Sequence, residues 1–158
     1  MQGSKLGQLG FPVEEEAVQF VRGHDLLINH YGEWPAFIDV EVIRIILERA
    51  PTDDAATHNL RAVFSTFDIH RSPGDPLRKQ AHTEMLFIGV SDLQIIDWAH
   101  QNPIQGLSLT RHQSERLNST LFRVFWGGIG HETRFDCHQI TVVDVMDLNP
   151  FQKSLPPS

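Results

Sequence analysis

The chain contains a single cysteine, Cys137, among its 158 residues. One cysteine cannot form an intrachain disulfide, and it cannot supply the cysteine pairs on which many zinc sites are built. Disulfide-free chains are typical of reducing compartments, so we expect a cytoplasmic protein. Cys137 alternates with Phe135 in a strand-like segment, which predicts a buried, apolar role for its side chain.

Long apolar runs and an excess of basic residues are also missing. No run approaches the roughly 20 residues of a membrane span, and the start MQGSKLGQLG lacks the apolar core of a secretory signal, so no membrane association is expected. Acidic residues outnumber Lys and Arg by 20 to 13, for a formal net charge of −7, which argues against nucleic-acid binding. An acidic surface suits a basic protein partner, although solubility alone explains the same charge.

Hydrophobic residues make up 41% of the chain, which is enough for one domain with a real core. We predict this domain over residues 11–148, between a flexible N-terminus over 1–10 and a flexible C-terminal tail over 149–158. FPVEEEAVQFVRG predicts a short helix, because Pro12 suits a first helical turn and acids follow it. HDLLINHYG predicts a second helix that ends at Gly32.

From residue 35 onward, β-branched residues and turn signals dominate the chain. We predict strands at 37–49, 58–70, 81–90, 92–98, 105–113, 119–126 and 133–147. The short links between them favour antiparallel pairing. The first and last of these segments change the parity of their apolar residues partway, which predicts a β-bulge or a strand covered on both faces. The predicted fold is therefore α+β: short N-terminal helices followed by a mainly antiparallel, strongly bent β-sheet of about seven strands, as a sandwich or an open barrel.

No catalytic constellation stands out, so we expect a protein that is not an enzyme and needs no cofactor. The nucleophile pattern G-x-S-x-G and the zinc pattern H-E-x-x-H are missing, and WGGIGH fits a hairpin turn better than a phosphate loop. Nine histidines still leave open a metal-dependent enzyme or a small-molecule binder with a pocket in the bent sheet. Convergence of His82, Glu84 and Asp136 in one concave site would support that alternative.

The segment YGEWPAFIDVEV, residues 31–42, is the most distinctive passage. Pro35 has no N–H for a β-ladder, so it belongs ahead of a strand. Trp34 and Phe37 are predicted to pack where helix meets sheet, and Asp39 beside them should have hydrogen-bond partners. These residues, with Glu41, predict a structural corner that starts the sheet.

The same segment resembles the W-P-S-F-H-D-A-E-V opening of the immunity protein 50 family, bacterial proteins encoded beside polymorphic toxins. The matching positions are Trp34, Pro35, Phe37, Asp39, Glu41 and Val42. Ala36 stands where the family has serine. Ile38 stands where the family has histidine, which favours a structural role over a catalytic His–Asp pair. A weaker resemblance through LFIGVSDLQIIDWAHQNPIQGLSLTR and FRVFWGGIGHETRFDCHQITVVDV extends it over roughly residues 25–148.

The resemblance implies an immunity protein that neutralises a cognate toxin by stoichiometric binding and occlusion. Many toxin domains of this kind are basic nucleases, which an acidic surface would attract. The expected contact candidates are Glu48, Asp53, Asp54, Asp92, Trp98 and Glu115. The sequence also leaves open a homodimer or a scaffold without a ligand, which an exposed apolar sheet edge would favour.

Overall fold

The structure is a computed structural model that describes residues 13, 15–50, 57–98 and 102–148. The expected flexible termini, 1–10 and 149–158, lie outside the described residues. The described part contains two short helices, α1 (Glu15–Gln19) and α2 (His24–Tyr31), and nine strands. The strands are β1 (Val40–Ala50), β2 (Thr57–Phe67), β3 (Gln80–Ile88), β4 (Ser91–Ile96), β5 (Pro103–Ile104), β6 (Leu107–Ser114), β7 (Ser119–Gly128), β8 (His131–Cys137) and β9 (Gln139–Asp147).

The strands form two antiparallel sheets, with orders β5-β1-β2-β3-β9 and β4-β8-β7-β6. Apolar residues of both sheets belong to one buried core, so the architecture is a two-layer sandwich. Of the helices, α1 has five residues and α2 has eight, and no described helix is long and apolar enough to cross a membrane. The prediction of an antiparallel, β-rich α+β fold is confirmed.

The count of about seven strands is imprecise, because nine are present. The predicted strand over 133–147 is in fact β8 and β9, which belong to different sheets. Between them, His138 donates its backbone N–H to the carbonyl oxygen of Ile88 at 2.9 Å. The switch of apolar parity in this segment therefore marks a crossing between layers. The other missed strand, β5, has only two residues and carries almost no sequence pattern.

The parity switch in β1 has the predicted cause. The pairing of β1 with β2 shifts between Val42 and Arg44, which leaves Ile43 as the extra residue of a β-bulge. The strand also begins later than expected, at Val40 rather than at residue 37. Phe37 and Asp39 both have φ of 58°, a left-handed conformation that strand pairing does not accept.

The sheets meet through aromatic side chains that contact one another edge to face. The Phe64 ring of β2 lies 5.3 Å from the Trp126 ring of β7, and the Phe87 ring of β3 lies 5.0 Å from the Phe135 ring of β8. Trp126 and Phe135 are themselves 5.5 Å apart. All four side chains are at most 3% exposed, so they remove a large apolar area from water while keeping favourable ring geometry.

Two strand edges are bridged by the segment that contains the helices. Val13 forms a parallel bridge with Leu109 of β6, and Arg22 forms one with Thr141 of β9. Gly32 ends α2 with φ of 84° and donates its N–H to the carbonyl oxygen of Ile28 at 2.7 Å, which confirms the predicted glycine cap.

The last residue of α2 is anchored in the sheet. The Tyr31 hydroxyl lies 2.7 Å from the Thr66 hydroxyl, which also contacts Thr83 at 2.9 Å and donates to the Ala81 carbonyl at 3.0 Å. Because the single Thr66 proton goes to Ala81, Tyr31 is the donor in its own contact. Burial raises the pKa of Tyr31 from 10.0 to about 12, and the carboxylate of Asp147 adds to the increase.

Tyr31 is the only tyrosine, so tyrosinate absorbance reports it alone. In the folded protein we expect ionisation with a midpoint near pH 12, against 10 for the unfolded chain. Because the folded pKa is the higher one, the stabilisation is complete below pH 10 and is lost as the pH rises from 10 to about 12. The Tyr31→Phe variant should be less stable at neutral pH by about 1 kcal/mol and should lack this pH-dependent part. A folded-state midpoint near 10 would contradict the assignment.

Candidate functional site

The YGEWPAFIDVEV segment forms a turn between α2 and β1. Trp34 is 5% exposed and Phe37 is 1% exposed, and their rings lie 5.8 Å apart. Phe37 continues into the sandwich core, because its ring also contacts Phe64 edge to face at 5.5 Å. Pro35 is buried ahead of the strand, as the missing N–H requires. These contacts give the stretch from Trp34 to Phe37 a packing role at the corner where β1 begins.

Asp39 does not have the environment expected from its sequence neighbours. The residue is exposed, and its backbone N–H donates to the carbonyl oxygen of Ile104 at 2.8 Å. Phe37 and Asp39 both have left-handed backbones, but Phe37 lies in the core whereas the Asp39 side chain lies in water. A carboxylate in water needs no buried partner, so the expectation of hydrogen bonds beside packed aromatics does not apply.

The side chain of Glu41, rather than that of Asp39, accepts a hydrogen bond at this corner. Its Oε1 accepts the backbone N–H of Asn102 at 2.5 Å, and the neighbouring Val42 N–H donates to the Asn102 carbonyl oxygen at 3.1 Å. Asn102 is 3% exposed, so these bonds satisfy polar groups that are shielded from water. Glu41 therefore holds the entry to β5 against the start of β1.

A cleft of about 340 Å³ opens beside the corner. Its lining residues are Asp39, Pro103, Ile104, Gln105, Gly128, Ile129, Gly130 and His131. The cleft contains one carboxylate and one imidazole, and the Nε2 atom of His131 already donates to the Pro103 carbonyl oxygen at 2.7 Å. This pair offers limited scope for acid–base or metal chemistry.

The three residues whose convergence would support an enzyme are far apart in the fold. His82 and Glu84 are on β3, whereas Asp136 is on β8 in the other sheet. Asp136 is held by Arg123 Nε at 3.3 Å and lies 3.4 Å from His112 Nε2. Within residues 13–148, as far as the structure describes them, no group of three or more His, Cys, Asp or Glu side chains is placed to hold a metal ion.

Cys137 is 0% exposed, which confirms the predicted burial. Burial raises the pKa of its thiol far above the usual range, and the nearby Asp136 carboxylate acts in the same direction. Because the nucleophilic form is the thiolate, this cysteine is inert at neutral pH.

A large depression, of about 710 Å³, lies at one end of the sandwich. It is lined by Leu47, Glu48, Arg49, His58, Asn59, Val90, Ser91, Asp92 and Leu93. It brings together Glu48 and Asp92, two contact candidates from different sheets. Glu48 lies 3.6 Å from Arg61, and Asp92 lies 3.9 Å from Arg116.

The remaining candidates occupy separate places. Glu115 is exposed in the turn between β6 and β7, and Trp98, 51% exposed, follows β4. Asp53 and Asp54 lie outside the described residues, so the structure does not place them.

The structure adds two exposed apolar residues that were not among the predicted contact candidates. Ile95 and Ile96 of β4 are 39% and 45% exposed. Among the described strands, β4 pairs only with β8, so it is an open sheet edge. The available signal was the run of two isoleucines in QIIDW, because consecutive apolar residues on a strand point to both faces and one of them faces away from the core.

Comparison of the chain with protein-family models, with curated proteins and with solved structures finds no match.

The packing role of the corner predicts how Asp39 tolerates substitution. Asp39→Gly and Asp39→Asn should stay within about 0.5 kcal/mol of the parent in urea unfolding, since both residues accept a left-handed backbone. Asp39→Val should be destabilised by about 1–2 kcal/mol, because a β-branched side chain is strained there. If Asp39→Asn lost as much as Asp39→Val, the carboxylate itself would matter and the packing account would be wrong.

Proposed function

We propose that this chain is a binding protein that neutralises a cognate bacterial toxin by stoichiometric occlusion, with β4 as its main contact strand. The observation that carries the proposal is a short exposed apolar cluster, with Ile95 and Ile96 on an open sheet edge and Trp98 just after the end of β4. Exposed apolar groups clustered on one edge are typical of sites that bind another protein.

The cluster occupies both faces of the edge strand. Ile95 is opposite Thr133, which is 4% exposed, whereas Ile96 is opposite Glu132 on the outer face. An extended partner segment paired to β4 would therefore meet an isoleucine on each side. Strand addition of this kind combines backbone hydrogen bonds for affinity with side-chain contacts for specificity.

Acidic residues flank this cluster. Asp92 and Asp97 lie at the start of β4 and just after it, both with left-handed backbones and both exposed. The Asp92 side chain is 73% exposed, and the formal net charge of the chain is −7. A basic partner is therefore favoured, because opposite charge accelerates encounter and discriminates against acidic proteins.

Occlusion agrees with the chemistry of the described residues. A stable inhibitory complex buries about 1,200–2,000 Å² in total, and a few central aromatic or aliphatic residues supply most of its binding energy. Trp98 is suited to this anchoring role, since a large ring buries much area with little loss of side-chain freedom. Inhibition by binding needs no turnover machinery, and His82 and Glu84, whose convergence with Asp136 would support an enzyme, lie on a different sheet from Asp136.

The large depression supports a second candidate function, the binding of a small apolar molecule. Its volume of about 710 Å³ falls in the range of about 300–1,000 Å³ that is usual for ligand pockets. Leu47, Val90 and Leu93 would supply apolar contacts, and His58 and Arg49 would supply polar ones. This function would be sensitive to substitutions at Leu47 and insensitive to substitutions at Trp98.

Co-expression with the toxin encoded beside this chain tests the main proposal. We expect the parent chain to rescue growth and to bind the toxin at a one-to-one ratio. Trp98→Ala should raise the dissociation constant by about 30-fold or more, the effect of losing a central aromatic contact. Met146→Ala is the matched control, because Met146 is 51% exposed, like Trp98, but lies on β9 in the other sheet; it should change affinity less than twofold.

Thermal unfolding of each purified variant separates lost contact from lost fold. Since Trp98 is half exposed, its truncation should leave the melting temperature nearly unchanged. Failure of the parent to bind the toxin, or full affinity in a Trp98→Ala/Ile96→Ala double variant, would refute the proposal.

A further inference from the structure

The second open edge belongs to β1. On this side β5 pairs only with Val40 and Glu41, and the Val42 N–H donates to Asn102. From Ile43 to Ala50 no described strand pairs with this edge. Unpaired strand edges are templates for another strand, and β1 presents eight of its eleven residues in this way.

Two side chains show which backbone groups point outward. Val42 faces the core and directs its backbone N–H to the open edge. On a strand, residues whose side chains share a face also direct their backbone groups to the same edge. Beyond the bulge at Ile43, Ile45 packs against the core, and Leu47, two residues further along the strand, points to the same face. The backbone groups of Ile45 and Leu47 therefore face the open edge.

The exposed stretch Arg44-Ile45-Ile46-Leu47-Glu48 is complementary to itself. When two copies pair antiparallel about Ile46, Arg44 of each copy is opposite Glu48 of the other. Ile45 of each copy is likewise opposite Leu47 of the other. The two charged pairs and the two apolar pairs all repeat across one twofold axis, as a closed dimer requires.

We propose that β1 pairs antiparallel with β1 of a second copy of this chain, which joins the two five-stranded sheets into one continuous sheet. In this register Ile45 and Leu47 form the hydrogen-bonded pair, consistent with the direction of their backbone groups. Arg44–Glu48 and Ile46–Ile46 occupy non-hydrogen-bonded positions, where opposite side chains approach most closely.

Other pairings explain the edge less well. Moving the register by two residues places Glu48 opposite Ile46 and Arg44 opposite Ala50, so both charge pairs are lost. Leu47 is 57% exposed although it lies on the core-facing side of β1, and the dimer gives it an apolar neighbour. The β4 edge is not complementary to itself, because it has acids at both ends, Asp92 and Asp97, and no basic residue between them.

A charge-reversal experiment tests the pairing by sedimentation equilibrium of the full chain. R44E places two acids opposite each other at both ends of the interface, and E48R places two bases there. Each variant alone should raise the dimer dissociation constant at least tenfold, because like charges directly opposite on neighbouring strands repel. An equimolar mixture of R44E and E48R should form heterodimers with an affinity near that of the parent.

The controls address folding and general charge effects. Glu48 also lies 3.6 Å from Arg61, so the melting temperature of E48R is measured and E48Q serves as a milder variant. D144R changes an exposed acid by the same charge on β9, at the opposite edge of the same sheet, and should leave the dissociation constant within twofold of the parent.

A cysteine placed at the twofold axis provides a second readout. The Ile46→Cys variant brings two cysteines opposite each other at a non-hydrogen-bonded position, where Cα atoms are about 4.5 Å apart and a disulfide can form. Oxidation should therefore yield a covalent dimer, while the native Cys137 is 0% exposed and does not compete. Leu86→Cys, on the outer face of the interior strand β3, should form no covalent dimer under the same conditions.

A parent chain that stays monomeric at all concentrations would overturn the proposal, as would a mixture of R44E and E48R that associates no better than either alone. Loss of toxin binding in R44E while the parent is monomeric would assign this edge to the toxin and would also overturn it. Sedimentation uses the chain without toxin, so failure of the β1 pairing is distinguished from failure of the proposed toxin contact, which is measured by binding.

Discussion

The packing of aromatic rings between the two sheets is the interaction on which the rest of this structure depends. Phe64 and Phe87 come from one sheet, and Trp126 and Phe135 come from the other. Three of their ring contacts are edge to face, with centroids 5.0–5.5 Å apart, and the Phe87–Trp126 contact is tilted at 5.7 Å. Rigid rings in a close-packed core allow few relative positions of the sheets. Phe37 adds the corner before β1 to the same group. The positions of the β1 and β4 edges, and of the groove near them, follow from this packing.

Local chemistry explains why part of the fold was predictable. The terminal glycine marked the end of α2, and turn residues between β-branched runs located most strands. The parity switch at Ile43 correctly predicted a bulge. The same signal in the last segment had a different cause, because the chain changes sheets at His138. A bulge and a change of layer both alter which face is buried, so the pattern in one strand does not distinguish them.

The candidate site was less accessible to sequence reasoning, because its geometry depends on distant parts of the chain. The buried positions of Trp34 and Phe37 follow from local aromatic and proline chemistry. The exposure of Asp39 follows from a left-handed turn that no local residue type demanded. Glu48 and Asp92 line one groove only because the end of β1 and the start of β4 lie opposite each other. Such contacts between distant parts of the chain depend on tertiary packing, and the spacing of residues along the sequence does not show them.

The four edges of the two sheets differ in how they are covered and in their side-chain charge. These differences separate the two proposed interactions. The edges of β6 and β9 are bridged by Val13 and Arg22, so the N-terminal segment protects them. The described strands leave β1 and β4 open, and the chemistry of these two differs. β1 has a base and an acid at matched distances from Ile46, which suits an identical strand. β4 has exposed isoleucines between acids, which suits a basic, unrelated strand. Because strand pairing is satisfied by almost any backbone, side-chain charge is what can assign each edge to its partner.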